Sequence, residues 1–322
     1  MMTSRRYTAT DKTAWDDLVR ASKNGTFLFL RDYMEYHHER FTDHSLLFYD
    51  SKERLVALLP AHETETEGIR TLASHMGLTY GGLVLTAKVG AADVLDIFDS
   101  LNRYAQENGF RRITYKPVPT IYHLLPAEED RYALFRVGAV QEACNISCVV
   151  SLKTTCSFFA ERRRFRGKHR AENLGYHVAE GTLADFWPIL EGNLLQRYGA
   201  RPVHSLAEMQ YLQGCFPQQI RCYLALDAQG QPQAGAVLYV SQQTVHVQYG
   251  HCTPQGRQDG ALDMLYFWLI ERCSKETTLR FFDFGTSNEQ QGHVLNENLI
   301  RQKEGFGGQG VAYATYRWDI DK

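Results

Sequence analysis

At 322 residues, with 44% hydrophobic and 12% aromatic content, the chain can bury one large core or two ordinary ones, which excludes disorder as its ground state. A formal charge of -2 and a pI near 6.6 exclude a global field that would gather nucleic acid or membrane. No apolar run approaches the roughly 20 residues of a spanning helix. The opening MMTSRRYTATDKTAWDDLVR lacks the apolar segment of a secretion signal, so a cytoplasmic protein without a membrane span is expected.

From His44, HSLLFYDSKERLVALLPAHE reads as strand, polar turn at Asp50 and second strand. AADVLDIFDSLNRYAQENGFRRITYKPV follows as a helix ending at Gly109 and then a strand. Near VQEACNISCVVSL a strand from Ile146 to Leu152 opens a second unit, so a boundary is expected at residues 145/146, with domains 1–145 and 146–322. The same order then recurs. IRCYLALDAQGQPQAGAVLYV is again strand, turn at Asp227, strand, and ALDMLYFWLIERCSKETTLRFFDFGTS is again helix, then strand. In that second helix Leu262, Leu265, Tyr266, Leu269, Ile270 and Cys273 share one face. Met264, Phe267 and Trp268 lie off it, so cover on several sides is expected. The fold class is therefore α/β (α+β), with two similar domains, each a mixed, mostly antiparallel sheet with packed helices.

Between the repeated segments lie the charged and polar candidates. The run ERRRFRGKHRAENLGYHV crowds Arg162, Arg163, Arg164, Arg166, Lys168 and Arg170 onto a helix that Ser157 would cap and Gly175 would stop. Its bland reading is a solvated face; its functional one is contact with phosphates, with Arg166 as a substrate contact. Ser205-x-x-Glu208 is a capping box, and the loop before it brings Arg201 and His204. The strand TVHVQYGHC carries His246, Tyr249 and His251. It leads through CTPQGRQDGALDML into the long helix, whose N-terminus offers unpaired N–H groups to an anion, with Arg257 adding charge and Asp259 opposing it.

Two letter patterns mislead. Asp283-Phe284-Gly285 spells a kinase motif, but no H-R-D occurs and the residues alternate as a strand end. Gly305-x-Gly307-x-x-Gly310 spells a dinucleotide fingerprint. It follows a helix-like segment, VLNENLIRQKE, and precedes a strand-like one, VAYATYRWDI, so it reads as a helix stop with Gly305 near C′. Seven cysteines, an odd number without a C-x-x-C pair, are expected as scattered thiols, and no metal site is expected.

Taken together, these segments resemble the FemAB-like branch of the GNAT acyltransferase superfamily, in which two GNAT-like folds are fused. The resemblance rests on the two-fold repeat, on RRRFRGKHRAENLGYHV, on the strand ending in D-F-G-x-S and on LIRQKEGFGG. It implies acyl transfer from acyl-CoA, or aminoacyl transfer from aminoacyl-tRNA, to the amine of a small acceptor such as an amino sugar or a cell-envelope precursor. It implies no tightly bound cofactor, with acyl-CoA as a co-substrate. The family's charge-stabilising lysine falls on Lys303. The GNAT phosphate signature is incomplete here: RQDGAL supplies Arg257, Gly260 and Ala261 but leucine at the last position. Asp283, Glu289, His246 and His251 are candidate bases, and Arg166, Arg201, His204, Tyr249 and His251 candidate substrate contacts. The alternative is a non-catalytic protein that keeps the fold and uses its basic helix for RNA or another polyanion.

Overall fold

The structure is a computed structural model that describes residues 2–66, 68–154 and 160–320. The chain forms two compact units. The first comprises residues 1–145, 290–293 and 312–322, and the second residues 146–289 and 294–311.

In the first unit, β1 (Thr3–Arg6), α1 (Lys12–Ala21), α2 (Arg31–Met34) and β2 (Thr42–Asp43) precede β3 (Leu46–Tyr49), β4 (Leu55–Leu59), β5 (Ala61–Thr66), β6 (Ile69–Ser74) and β7 (Val84–Leu85). α3 (Ala91–Glu107), β8 (Arg112–Tyr115) and α4 (Glu129–Arg136) complete its first stretch. Asp50 makes the predicted β3–β4 turn, its side chain accepting from the N–H groups of Lys52 and Arg54. Val94, Ile97, Phe98, Leu101 and Ala105 line one side of α3 and are buried with Leu46, Phe48, Leu72 and Ile113. Burial of each large apolar side chain contributes roughly 1.5–3 kcal/mol against the entropy of ordering it. Gly109, at φ +73, releases the chain from α3 into β8. β5 and β6 pair antiparallel, whereas β6 and β8 run parallel over Thr71–Ala73 and Arg112–Thr114.

β9 (Val140–Ser151) leads into the second unit, where α5 (Arg162–Asn173), β10 (His177–Glu180), α6 (Leu183–Tyr198), α7 (Leu206–Cys215), β11 (Ile220–Leu226) and β12 (Pro232–Val240) follow. Next come β13 (Thr244–Cys252), α8 (Pro254–Asp259), α9 (Ala261–Lys275), β14 (Phe281–Thr286), β15 (Asn288–Glu289), β16 (Val294–Leu295), α10 (Glu297–Glu304) and β17 (Gln309–Asp319). The sheet order is β10-β11-β12-β13-β14-β9. It is antiparallel except where β13 meets β14. α9 buries Leu265, Tyr266, Leu269, Ile270 and Cys273 as its spacing predicts. α5 covers a further side of it, with Phe165 stacked on Phe267 at 4.6 Å between ring centroids.

Local signals from the sequence resolve case by case. Ser205 and Glu208 form the predicted capping box, and Gly175 takes φ +81 after α5. Ser157 lies outside the described residues; the N-cap of α5 is Glu161. VLNENLIRQKE is helical only from Glu297, because Val294 and Leu295 pair with β15 and Asn296 caps the helix through the N–H of Leu299. The helix stop also differs in detail. Gly305 is the C-cap in right-handed geometry, and Gly307 takes the left-handed conformation at φ +90. Phe306 between them is fully buried against Tyr266, Phe267 and Phe284, which anchors the end of α10 to the core. A Cβ on Gly308 would overlap the Cys148 sulfur.

Gly260, between α8 and α9, is left-handed at φ +84, and a Cβ there would overlap the carbonyl of Gly167 on α5. Both constraints involve backbone. Gly260→Ala should therefore destabilise the second unit by about 2 kcal/mol or more, read as a lowered urea midpoint at unchanged m-value.

Candidate active site

The site lies where β13 and β14 part. Their parallel pairing lasts three positions, Thr244, Val245 and His246 against Phe281, Phe282 and Asp283. Beyond these, each strand carries a bulge. On β13, Tyr249 and Val247 face consecutive residues of β12, so Gln248 is extra. On β14 the register against β9 shifts between Asp283 and Thr286, and Gly285 there has φ +76. Bulges increase local twist and re-aim side chains and carbonyls.

Phe282 and Phe284 point into the core, which turns Asp283 to the other face, where it is wholly buried. It accepts hydrogen bonds from Ser147 Oγ at 2.5 Å and from the Gly285 N–H at 2.8 Å, and its Oδ2 lies 2.8 Å from His246 Nδ1. Burial opposes its ionisation, but the charge and hydrogen bond of His246, with Ser147 and the Gly285 N–H, outweigh burial and hold the carboxyl below the usual carboxylate range. A carboxylate on Nδ1 places the imidazole hydrogen there and leaves Nε2 with a lone pair. The His246 side chain is 13% exposed while Asp283 is sealed, so the dyad meets solvent only through the imidazole.

Lys303, in the last turn of α10, donates from Nζ to the carbonyls of Gly285 at 2.8 Å and Thr286 at 2.7 Å. The β14 bulge and the α10 lysine thus interlock. Burial pulls the Lys303 ammonium down to about 8, against the opposing pull of Asp283 and Cys148. Burial also pushes the Cys148 thiol up to about 12, so that sulfur is an inert neighbour and not a nucleophile.

Along the same face of β13, Tyr249 Oη lies 2.7 Å from His204 Nδ1, and the Trp187 ring meets Tyr249 edge-on at 5.8 Å. His251 Nδ1 lies 3.2 Å from Asn193 Oδ1 on α6. The fold therefore gathers three of the expected substrate contacts, His204, Tyr249 and His251, and adds Trp187 and Asn193, which no sequence pattern singled out. Arg201 and Arg166 are exposed. Glu289 is exposed on β15 and accepts from Asn296 Nδ2 at 3.3 Å, while the carboxylate joined to His246 is Asp283.

Arg257 is exposed on α8, but Gly260 and Ala261 are buried beneath α5. Arg164, drawn from the basic run, turns inward to Asp263 in the first turn of α9 at 2.9 Å. Asp259 accepts from Tyr176 Oη and Gln255 Nε2. Among the described residues no helix is long and apolar enough to cross a membrane, and no His, Cys, Asp and Glu group has metal-holding geometry.

Removing the Asp283 carboxylate leaves three groups without their acceptor. Asp283→Ala should cost about 3 kcal/mol of stability, with Asp283→Asn recovering part, measured by denaturant unfolding at pH 7. The folded carboxyl titrates below its unfolded value of 3.8. Its contribution is therefore whole above that pH and is lost as pH falls below it.

Comparison with known proteins agrees with this architecture. Residues 161–291 match the model of the acetyltransferase (GNAT) domain family Acetyltransf_6. None of the curated proteins matches the chain. Among solved structures, FemX superposes with a TM-score of 0.71 at 10% identity, covering 98% of this chain and 97% of FemX. A tandem GNAT protein from the clavulanic acid biosynthesis pathway gives 0.54 at 12% identity, covering 100% and 99%. L-PGS from Bacillus licheniformis gives 0.53 at 14% identity, covering 85% and 83%. Residues 161–291 thus carry the match to an acetyltransferase (GNAT) domain. The chain's fold is that of FemX and of the tandem GNAT protein, two GNAT-like units in tandem.

Proposed function

We propose that the protein transfers an acyl group from acyl-CoA, or an aminoacyl group from aminoacyl-tRNA, to the amine of a small acceptor such as an amino sugar or a cell-envelope precursor. The observation that carries this reading is the buried Asp283 holding His246 at the parting of β13 and β14, with Lys303 fixed on the adjoining bulge. His246 Nε2 takes a proton from the amine as its nitrogen attacks the donor carbonyl. The new C–N bond forms, the C–S or C–O bond of the donor breaks, and the proton passes to the leaving thiolate or ribose oxygen. Lys303 supplies positive charge to the oxyanion that develops on the carbonyl. The wall of Trp187, Tyr249, His204 and His251 orients the acceptor, and a fixed geometry of that kind lowers the barrier further.

The test is transfer itself. The protein is incubated with radiolabelled acetyl-CoA or aminoacyl-tRNA and a panel of primary amines, and amide product is counted. Product that requires both protein and amine supports the reading and identifies the donor. Donor hydrolysis without amide formation for every pair would overturn it.

A further inference from the structure

The first unit repeats the strand arrangement of the second and keeps a cluster of its own where the strands part. β6 and β8 pair in parallel over three positions, as β13 and β14 do. Past Ala73 and Thr114 the chains continue as Ser74-His75 and Tyr115-Lys116, with Ser74 Oγ accepting the Lys116 backbone N–H at 2.7 Å. His62 on β5 stands beside this point, its ring 5.4 Å from that of His75.

This cluster is rich in donors and poor in acceptors. Lys116 Nζ makes one hydrogen bond, to the Leu78 carbonyl at 2.7 Å, and no carboxylate pairs with it among the described residues. His62 Nδ1 accepts from the Met76 N–H at 3.3 Å, which puts the imidazole hydrogen on Nε2. His75 is 3% exposed, and its Nδ1 is buried without a partner. A buried polar atom left unpaired costs free energy, so such a site gains by taking a ligand that pairs it. Asp43, whose charge acts on both histidines, is already taken by Arg31 and the Ser45 N–H. Phe41 packs against both histidines, and a third imidazole, His37, stacks on His75 at 5.3 Å between ring centroids.

We infer that Lys116, His62 and His75 form a second ligand site, in the first unit, that binds an oxyanion, the carboxylate or phosphate of a small ligand. The protonation pattern agrees. Burial pulls His62 to about 4 and His75 to about 3, with Lys116 acting in the same direction, so both are neutral donors at pH 7. Burial also pulls Lys116 to about 8, which leaves it mostly charged at pH 7 and ready for a counter-charge. The site does not depend on acyl transfer, and its test reads binding alone.

Inorganic phosphate and acetate are titrated separately at constant ionic strength. Histidine side-chain NMR follows His62 and His75, assigned through His62→Gln and His75→Gln, and melting is followed in parallel. Phosphate or acetate should shift both imidazoles and raise the melting midpoint, and the more potent of the two names the class. Lys116→Met should weaken that binding at least tenfold. Without anion, its melting midpoint should equal or exceed that of the wild type, because a half-buried cation without a carboxylate partner among the described residues has been removed. A Lys116 that only supports the loop would give the opposite, a lowered midpoint with the anion response intact. That result, or the absence of any imidazole shift with both anions, overturns the site.

Discussion

Replacing His246 with alanine should lower kcat by roughly 10²–10⁴-fold, the usual contribution of a positioned general base. KM for the acceptor should change little, since the imidazole meets the amine as its proton leaves and not while it docks. The reason to single out this histidine is its connection. Its Nδ1 is fixed to a carboxylate that is wholly buried, and its ring alone carries the dyad to solvent. His251→Ala provides the internal comparison. That ring lies 3.2 Å from Asn193 Oδ1 on the acceptor wall, so its loss should act chiefly on acceptor KM. A His246→Ala enzyme with wild-type kcat would remove the dyad from the mechanism.

The repeated order of two strands, a helix and a strand was legible because it rests on local periodicity and turn chemistry. Asp50 and Asp227 both make the turns their neighbours announce. The helix stop after Lys303 was legible for the same reason, although which glycine turns left-handed depends on where Phe306 is anchored. The site was only half legible. Val245-His246-Val247 shows alternation but not which side faces what, and the match of His246 to Asp283 arises from a parallel pairing between strands 37 residues apart. The bulges at Gln248 and Gly285 shift register by one residue, and no local pattern encodes them. Ser147 carried no signal of its own. Conversely, the loop at Gly260 reads locally as an anion site, and only tertiary packing places the α5 backbone over it. Glu289 stood near Asp283 in sequence, but a two-residue hairpin strand carries it to the surface.

Lys303→Met should lower kcat by about 10²–10³-fold, the loss expected when a charged donor is withdrawn from a developing oxyanion. Methionine keeps the length and apolar stem, so the helix end at Phe306 stays packed and the loss falls on charge. The alkaline side of the wild-type pH–rate profile supplies an independent reading. Lys303 is pulled down to about 8, so its cation, and the rate it supports, should decline as pH rises through that value. Its effect on folding runs the other way. Between about 8 and its unfolded value of 10.5 the folded state binds fewer protons than the unfolded one, so this group's contribution to stability increases with pH. A rate that falls above about pH 8 while the fold holds is therefore the signature of a lost catalytic cation and not of unfolding. In Lys303→Met that decline should be absent from the residual rate. A residual rate that still falls through the same window would assign the alkaline limb to another group and leave Lys303 as a clamp between α10 and the β14 bulge.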